Sequence, residues 1–191
     1  MLYLAKHLGR NGEIINVPKI RTMYSDADSR LEEVIKRNGF SDYDNKPNDD
    51  PRIVPSRKWL RKLFFDELPQ IPYNLIWKRN FRFVGVRSKS EIYWKNYPTK
   101  HKERALKSPY YCGFLGVHRF NPKRKMLENE RRYLAEHKIA NKIYLDKINT
   151  NGKKKITEEQ INPNHLFSCL IDFKYSLVIL FNILTGRTKG G

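Results

Sequence analysis

The sequence predicts an α+β fold: a small mixed core of several helices and a short strand region, basic extensions, and a C-terminal amphipathic apolar helix. Three observations carry this. Helical periodicity appears at 56–68 and again at 122–147, β-branched and aromatic residues concentrate at 71–94, and a long apolar run occupies 165–184. The 191 residues suffice for one domain with a core, and two independent domains would be a squeeze. With 39% hydrophobic residues and a net charge of +18, self-repulsion is expected to expand the chain until a polyanion neutralises it.

Taken in order, residues 1–12 (MLYLAKHLGRNG) place Leu2, Leu4 and Leu8 beside Lys6 and Arg10. The segment lacks the unbroken apolar core of a secretory signal and the Arg- and Ser-rich span of a targeting peptide, so it reads as an arm that docks on a neighbour. A first helix is expected over 25–39, capped by Ser25 or Asp26, striped by Leu31, Val34 and Ile35, and stopped by Gly39. The run 41–51 (SDYDNKPNDDP) reads as a linker, with Asp49 and Asp50 in a solvated turn rather than on a metal.

The best-formed helix is expected over 56–68, where Ser56 caps and Pro69 stops. Trp59, Leu60, Leu63 and Phe64 fall on one side to pack, and Arg57, Lys58, Arg61 and Lys62 on the other to meet phosphate. Residues 71–94 read as strands, Phe81, Phe83 and Val84-Gly85-Val86 foremost, and 95–111 as a basic extension punctuated by proline. A helix follows at 122–147, with Met126, Tyr133, Leu134, Ile139 and Ile143 on its stripe. A basic turn and a capping box at 157–160 come next. The final run alternates like a strand, yet its length favours a helix. Asp172 and Lys174 at mid-span favour burial or an interface over crossing a membrane.

Charge divides the chain into three regions. Residues 1–50 sum to −1 and 156–191 to zero, whereas 51–155 carry 27 Lys and Arg against 8 Asp and Glu, with all three Trp and 16 of the 24 aromatics. Three regions are read from this: 1–50 as arm, helix and acidic linker, 51–155 as a basic, aromatic-rich RNA-binding region, and 156–191 as a docking helix and tail. Cations that neutralise phosphate, interleaved with rings on which bases stack, are what a nucleic-acid surface needs. The contact residues read from this are Arg57, Lys58, Arg61, Lys62, Lys78, Arg79, Arg82, Arg87, Lys89, Trp94, Lys95, Tyr97, Lys100, Lys102, Arg104, Lys107, Tyr110, Tyr111, Arg119, Lys123, Arg124 and Lys125.

Motifs for chemistry are weak. No phosphate loop, nucleophile elbow or paired-His metal helix occurs, and Cys112 and Cys169 stand 57 positions apart without further cysteine ligands, so neither a metal nor a cofactor is expected. Glu136-His137-Lys138 has the Glu-x-Lys form of metal-dependent nucleases but lacks a placed upstream Asp. Leu170-Ile171-Asp172 resembles the centre of the LAGLIDADG motif of homing endonucleases. Lys174 stands where that family has its next acidic ligand, and a Lys cannot hold Mg²⁺.

The resulting expectation is a non-enzymatic protein. In composition it is similar to ribosomal proteins, neutralising ribosomal RNA and docking on neighbouring ribosomal proteins through its C-terminal helix, with no small-molecule substrate and no membrane. Lys- and Asn-rich, Ala-poor usage is what AT-rich codons produce, which points to the mitochondrial matrix, with the cytoplasm as the alternative. The competing readings are an accessory subunit of a mitochondrial membrane complex and a DNA-binding or divergent nuclease protein of a mobile element.

Overall fold

The structure, a computed structural model, describes residues 1–27, 29–30, 33–34, 50–91, 94, 98–150 and 160–187. It is mixed α+β, with two small sheets and a long apolar helix near the C-terminus. The expected helix at 25–39 falls largely outside the described residues, as do the linker up to Asp49, the capping box, Lys95 and Tyr97.

Residues read as an arm instead form a hairpin of β1 (Leu2–Leu8) and β2 (Ile14–Ile20), paired antiparallel from Leu2↔Ile20 to Leu8↔Ile14. Its turn uses Asn11 and Gly12 at φ 59° and 84°, the left-handed region that Asn and Gly enter most readily. Leu8, Ile15 and Val17 face the core, while Leu2, Leu4 and Ile14 face outward.

The helix expected at 56–68 is shorter, and part of its apolar side is exposed. A 3₁₀ turn (Pro55–Arg57) leads into α1 (Lys58–Lys62), after which Phe64 turns left-handed at φ 61° and a second 3₁₀ turn (Phe65–Glu67) follows. Trp59 and Leu63, expected to pack, are both 53% exposed. The next stretch, read as a strand, is a π-helical segment over Ile71–Trp77, closed by the Lys78 N–H donating to the Tyr73 carbonyl at 2.8 Å.

The strand expected near Phe83 is present as β3 (Arg82–Gly85), parallel to β4 (Gly113–Gly116). A parallel pair needs a crossover, and this one contains α2 (Thr99–Lys107) where an extension was expected. A Cβ on Gly85 would lie 2.5 Å from the Tyr110 carbonyl oxygen, so the close approach here requires glycine. Two long helices complete the fold, α3 (Met126–Thr150) and α4 (Leu166–Leu184). By length and composition α4 could cross a membrane. One face of it nevertheless packs on the protein through Ser168, Tyr175, Ile179 and Asn182.

The core corrects the stacking expectation. Trp94 is fully buried and Tyr110 and Tyr111 are 3% exposed, so no base can reach their rings. Trp94 Nε1 donates to the Tyr111 hydroxyl at 3.1 Å, and that hydroxyl donates to the Leu8 carbonyl at 2.9 Å, which ties the hairpin to the crossover. Asp50, read as a solvated acid, is also buried and pairs with Arg52 at 2.7 Å.

Glu130 of α3 is completely buried between Lys89, at 3.1 Å, and His101 of α2, at 2.9 Å. Burial alone would raise its carboxyl, but Lys89 and His101 outweigh that and hold it below the ordinary carboxylate range. Its contribution to stability is complete above the unfolded value of about 4.3 and is lost as the pH falls through the lower folded value. Glu130→Gln removes the carboxylate that buried Lys89 and His101 share, and urea unfolding at pH 7 is expected to show a loss of about 3–5 kcal/mol. The deficit should shrink toward pH 3, and a deficit of equal size at both values would contradict this account.

Candidate functional site

Asp66 and Glu67 are adjacent acids at the start of the run DELPQIP, just beyond the left-handed Phe64. A non-glycine residue in that conformation is sparsely populated and costs on the order of 1–3 kcal/mol, a strain that tends to occur where a site needs it. The turn folds Phe65–Glu67 back onto β2 and buries both carboxylates, Asp66 at 6% and Glu67 at 4% exposure.

Cations surround them. Arg87, just beyond β3, forms an ion pair with Glu67 Oε1, and Arg119 Nη2 lies 3.9 Å from Oε2. Arg119 also lies over the Phe64 ring, 4.3 Å from its centroid. Its Nε and Nη2 are buried without a hydrogen-bond partner among the described residues, and burial lowers the guanidinium to about 10. Lys19 of β2 is lowered to about 7, first by burial and then by the neighbouring charge of Arg87, with Asp66 pulling the other way. As a residue Lys19 is only half-buried, so the desolvation acts on its enclosed ammonium end.

The two carboxylates therefore differ. Glu67 is held by guanidinium groups, whereas Asp66 has no hydrogen bond or ion pair among the described residues, although Lys19 and Arg119 feel its charge. Buried donors left unpaired are costly, and a phosphate would satisfy them. A carboxylate beside such a phosphate is placed for nucleophilic or base chemistry. Among the described residues no group of three His, Cys, Asp or Glu could hold a metal ion.

The stretch of chain that flanks these acids in sequence exposes large apolar side chains. Trp59, Leu63, Phe65, Leu68, Ile76 and Trp77 are all more than two-fifths exposed, reaching 71% at Trp77. Exposed Lys58, Lys62, Lys78 and Arg79 lie among them, with the Lys78 ammonium 4.8 Å from the Trp77 ring centroid. Large apolar side chains with snorkelling cations are what a lipid headgroup boundary accommodates.

A second polar cluster lies between α3 and α4. His137 Nε2 donates to Asp172 at 3.0 Å, its Nδ1 is 3.3 Å from the Ser168 hydroxyl, and Tyr133 donates to Asp172 at 2.6 Å. The connectivity is that of a Ser-His-Asp set. Ser168 and His137 are wholly buried, however, and Arg82 pairs with Asp172 at 2.7 Å, so the cluster serves as a clasp that holds α4 to the body. The cleft lined by Arg104, Ser108, Lys138 and Asn141 contains neither Asp66 nor Glu67.

The cations read as RNA contacts separate accordingly. Arg82, Arg87 and Lys89 are committed to internal carboxylates, Arg119 is buried beside Glu67 with two donors unfilled among the described residues, and Arg57 donates to the Arg21 carbonyl at 2.9 Å. Lys100, Arg104 and Lys107 are exposed on α2, with Lys102 half-buried, and Lys123, Arg124 and Lys125 lie before α3. Lys58, Lys62, Lys78 and Arg79 are exposed on the stretches that flank the acids in sequence, with Arg61 half-buried. Sequence reasoning missed Asp66 and Glu67. The available signal was an adjacent acid pair closed by Pro69, in a segment otherwise free of acids from Pro51 to Ser90.

A profile of bacterial sugar transferases matches residues 1–156. The chain is 32% identical over 112 residues to "Galactosyl transferase CpsE" of Streptococcus agalactiae, covering 59% of this chain and 24% of that protein. It is 36% identical over 91 residues to "Exopolysaccharide production protein ExoY" of Sinorhizobium fredii, covering 46% of this chain and 39% of that protein. It is also 33% identical over 90 residues to an uncharacterized sugar transferase of Haemophilus influenzae, covering 45% and 19%. The chain thus spans under half the length of these curated relatives.

The match overturns the ribosomal reading and, with it, the expected ribosomal partners, the mitochondrial matrix and the absence of enzymatic activity. The mitochondrial accessory subunit and the mobile-element nuclease are set aside on the same ground. Basic charge tracks polyanions in general, and a sugar diphosphate is one as much as RNA is.

With Lys19 at about 7, part of its population is neutral at pH 7, and a phosphate placed beside it favours the ammonium. Binding of inorganic pyrophosphate is therefore expected to take up a fraction of a proton, read by calorimetry as a heat that varies with the buffer's ionisation enthalpy. Lys19→Met should remove that variation, and buffer dependence surviving the change would locate the proton elsewhere.

Proposed function

This chain belongs to the bacterial sugar transferase family, and we propose that it moves a sugar phosphate from a nucleotide-diphosphate sugar to a lipid-borne phosphate at a membrane surface. The carrying observation is Asp66 and Glu67, buried side by side in a cradle of Lys19, Arg87 and Arg119 and flanked in sequence by exposed Phe65 and Leu68, with exposed Trp59 packed edge-on against Phe65. Cations accept the diphosphate, and the flanking apolar side chains reach a lipid acceptor.

Within that reading Asp66 is the nucleophile. A phosphate acceptor is already ionised at neutral pH and has no proton that a general base must remove, so covalent chemistry is what remains for a carboxylate. Asp66 attacks the phosphorus next to the sugar, the bond to the nucleoside phosphate breaks, and nucleoside monophosphate leaves. An oxygen of the lipid phosphate then attacks the same phosphorus and frees Asp66. Glu67 positions Arg87 and Arg119, which neutralise charge developing on the phosphoryl oxygens. Residues 51–155 hold the acids and most of the cations, and 156–191 hold α4.

The test is transfer of radiolabelled sugar phosphate from a nucleotide sugar to polyprenyl phosphate in detergent or vesicles. Asp66→Asn is expected to reduce transfer by about 10³-fold or more while circular dichroism stays unchanged. Trapping of label on the wild-type chain, absent from Asp66→Asn, would support the covalent step. A folded Asp66→Asn protein that keeps full transfer would exclude it. Trp59→Ser with Trp77→Ser should weaken vesicle binding without changing affinity for the free nucleotide sugar.

A further inference from the structure

The exposed face of α4 lies beyond the residues matched by the family profile, and neither the carboxylate site nor the internal clasp uses it. Its exposed apolar residues are Leu166, Leu170, Phe173, Leu177, Leu180 and Leu184, from 39% exposed at Leu180 to 85% at Leu184. They recur at steps of 4, 3, 4, 3 and 4. That is the spacing of a seam that meets another helix, with Leu170, Leu177 and Leu184 at one core position and Leu166, Phe173 and Leu180 at the other. At 100° per residue the six fall within an arc of about 80°, narrower than the apolar face of an ordinary core helix.

No charge interrupts the seam. The two charged residues of the helix turn aside, Asp172 to Arg82 and Lys174 to Glu136, the latter at 2.5 Å. A helix lying on lipid would instead carry free Lys or Arg along its margins. At about 150–250 Å² for a large side chain, the exposed portions of these six and of Phe181 come to roughly 700 Å². That approaches the ~800 Å² per partner of a stable interface. Over 19 residues the contact would run about 28 Å.

We propose that this face is a dimer interface, in which a second copy of the chain packs its own α4 along the seam. The self-matching spacing, the absence of charge and the area together favour a like helix as the occupant. The pairing is independent of the transfer chemistry and can stand or fall separately from it.

The test uses the full chain in density-matched detergent, followed by sedimentation equilibrium. The wild type is expected to be dimeric, and Leu170→Ser with Leu177→Ser to raise the dissociation constant by about 100-fold or more. These side chains are exposed, so the helical signal should be retained. A second measurement avoids reliance on disruption: in a Cys169→Ser background, chains carrying Phe173→Cys or Leu177→Cys are mixed and oxidised. Parallel pairing links each variant to its own kind and antiparallel pairing links one to the other, and either result supports the seam. A wild-type monomer that forms no crosslink overturns the proposal. So does a monomer whose binding to phosphatidylglycerol vesicles is lost with the two serines, since that would make lipid the occupant.

Discussion

The constraint on which the structure depends is the scarcity of acid. With 38 Lys and Arg against 20 Asp and Glu, the chain cannot neutralise itself on its surface, and it places several of its carboxylates inside. Glu130 joins Lys89 and His101 across α3, α2 and the segment after β3. Glu67 joins Arg87 and Arg119, and Asp172 joins Arg82 and His137 across 90 and 35 residues of sequence. A buried charge is tolerable only when paired and hydrogen-bonded, so each of these acids specifies which distant segments must meet. The cations that make the chain look extended and RNA-bound are in part the means by which it folds on itself.

The same constraint arranges the site. Because Arg87 and Arg119 hold Glu67, the turn that carries it is fixed against β2, and Asp66 is fixed with it. One acid is tied into the ion pairs and its neighbour, without a hydrogen bond or ion pair among the described residues, is the one proposed above to act in chemistry. Lys19 and Arg119, both lowered by burial, mark a region that holds more positive charge than its own carboxylates absorb. A cradle short of negative charge in a member of the sugar transferase family is compatible with the phosphate-bearing substrate proposed above.

How much of this could be read from the residues alone depends on what each pattern reports. The α+β class, β3, α3 and α4 were legible because their periodicity or β-branched content is local. The hairpin was missed although Asn11-Gly12 is a turn signal, because Leu2, Leu4 and Leu8 alternate too weakly against Tyr3 and Ala5. For the 56–68 segment the burial of the apolar side was only half right: Leu60 and Phe64 are half-buried, Trp59 and Leu63 are exposed, and no periodicity states how much of a side meets protein. Composition likewise cannot separate an arginine that meets an external phosphate from one paired to Glu67 or Asp172 across the fold. Trp94, Tyr110 and Tyr111 show the same limit, since a ring beside lysines can serve a ligand or a core.

The π-helical segment Ile71–Trp77 has a geometric consequence for the chain's length. A π turn holds one more residue than an α turn over the same stretch, so this segment stores a residue that an α-helix would not need. Removing one residue there would leave a continuous and better-bonded helix, yet it would rotate everything beyond it by about 100°. Ile76 and Trp77, both exposed, would then turn away from the direction in which they now face. The surplus residue acts as a phase setting, fixing the direction in which Ile76 and Trp77 face at the expense of regular hydrogen bonding.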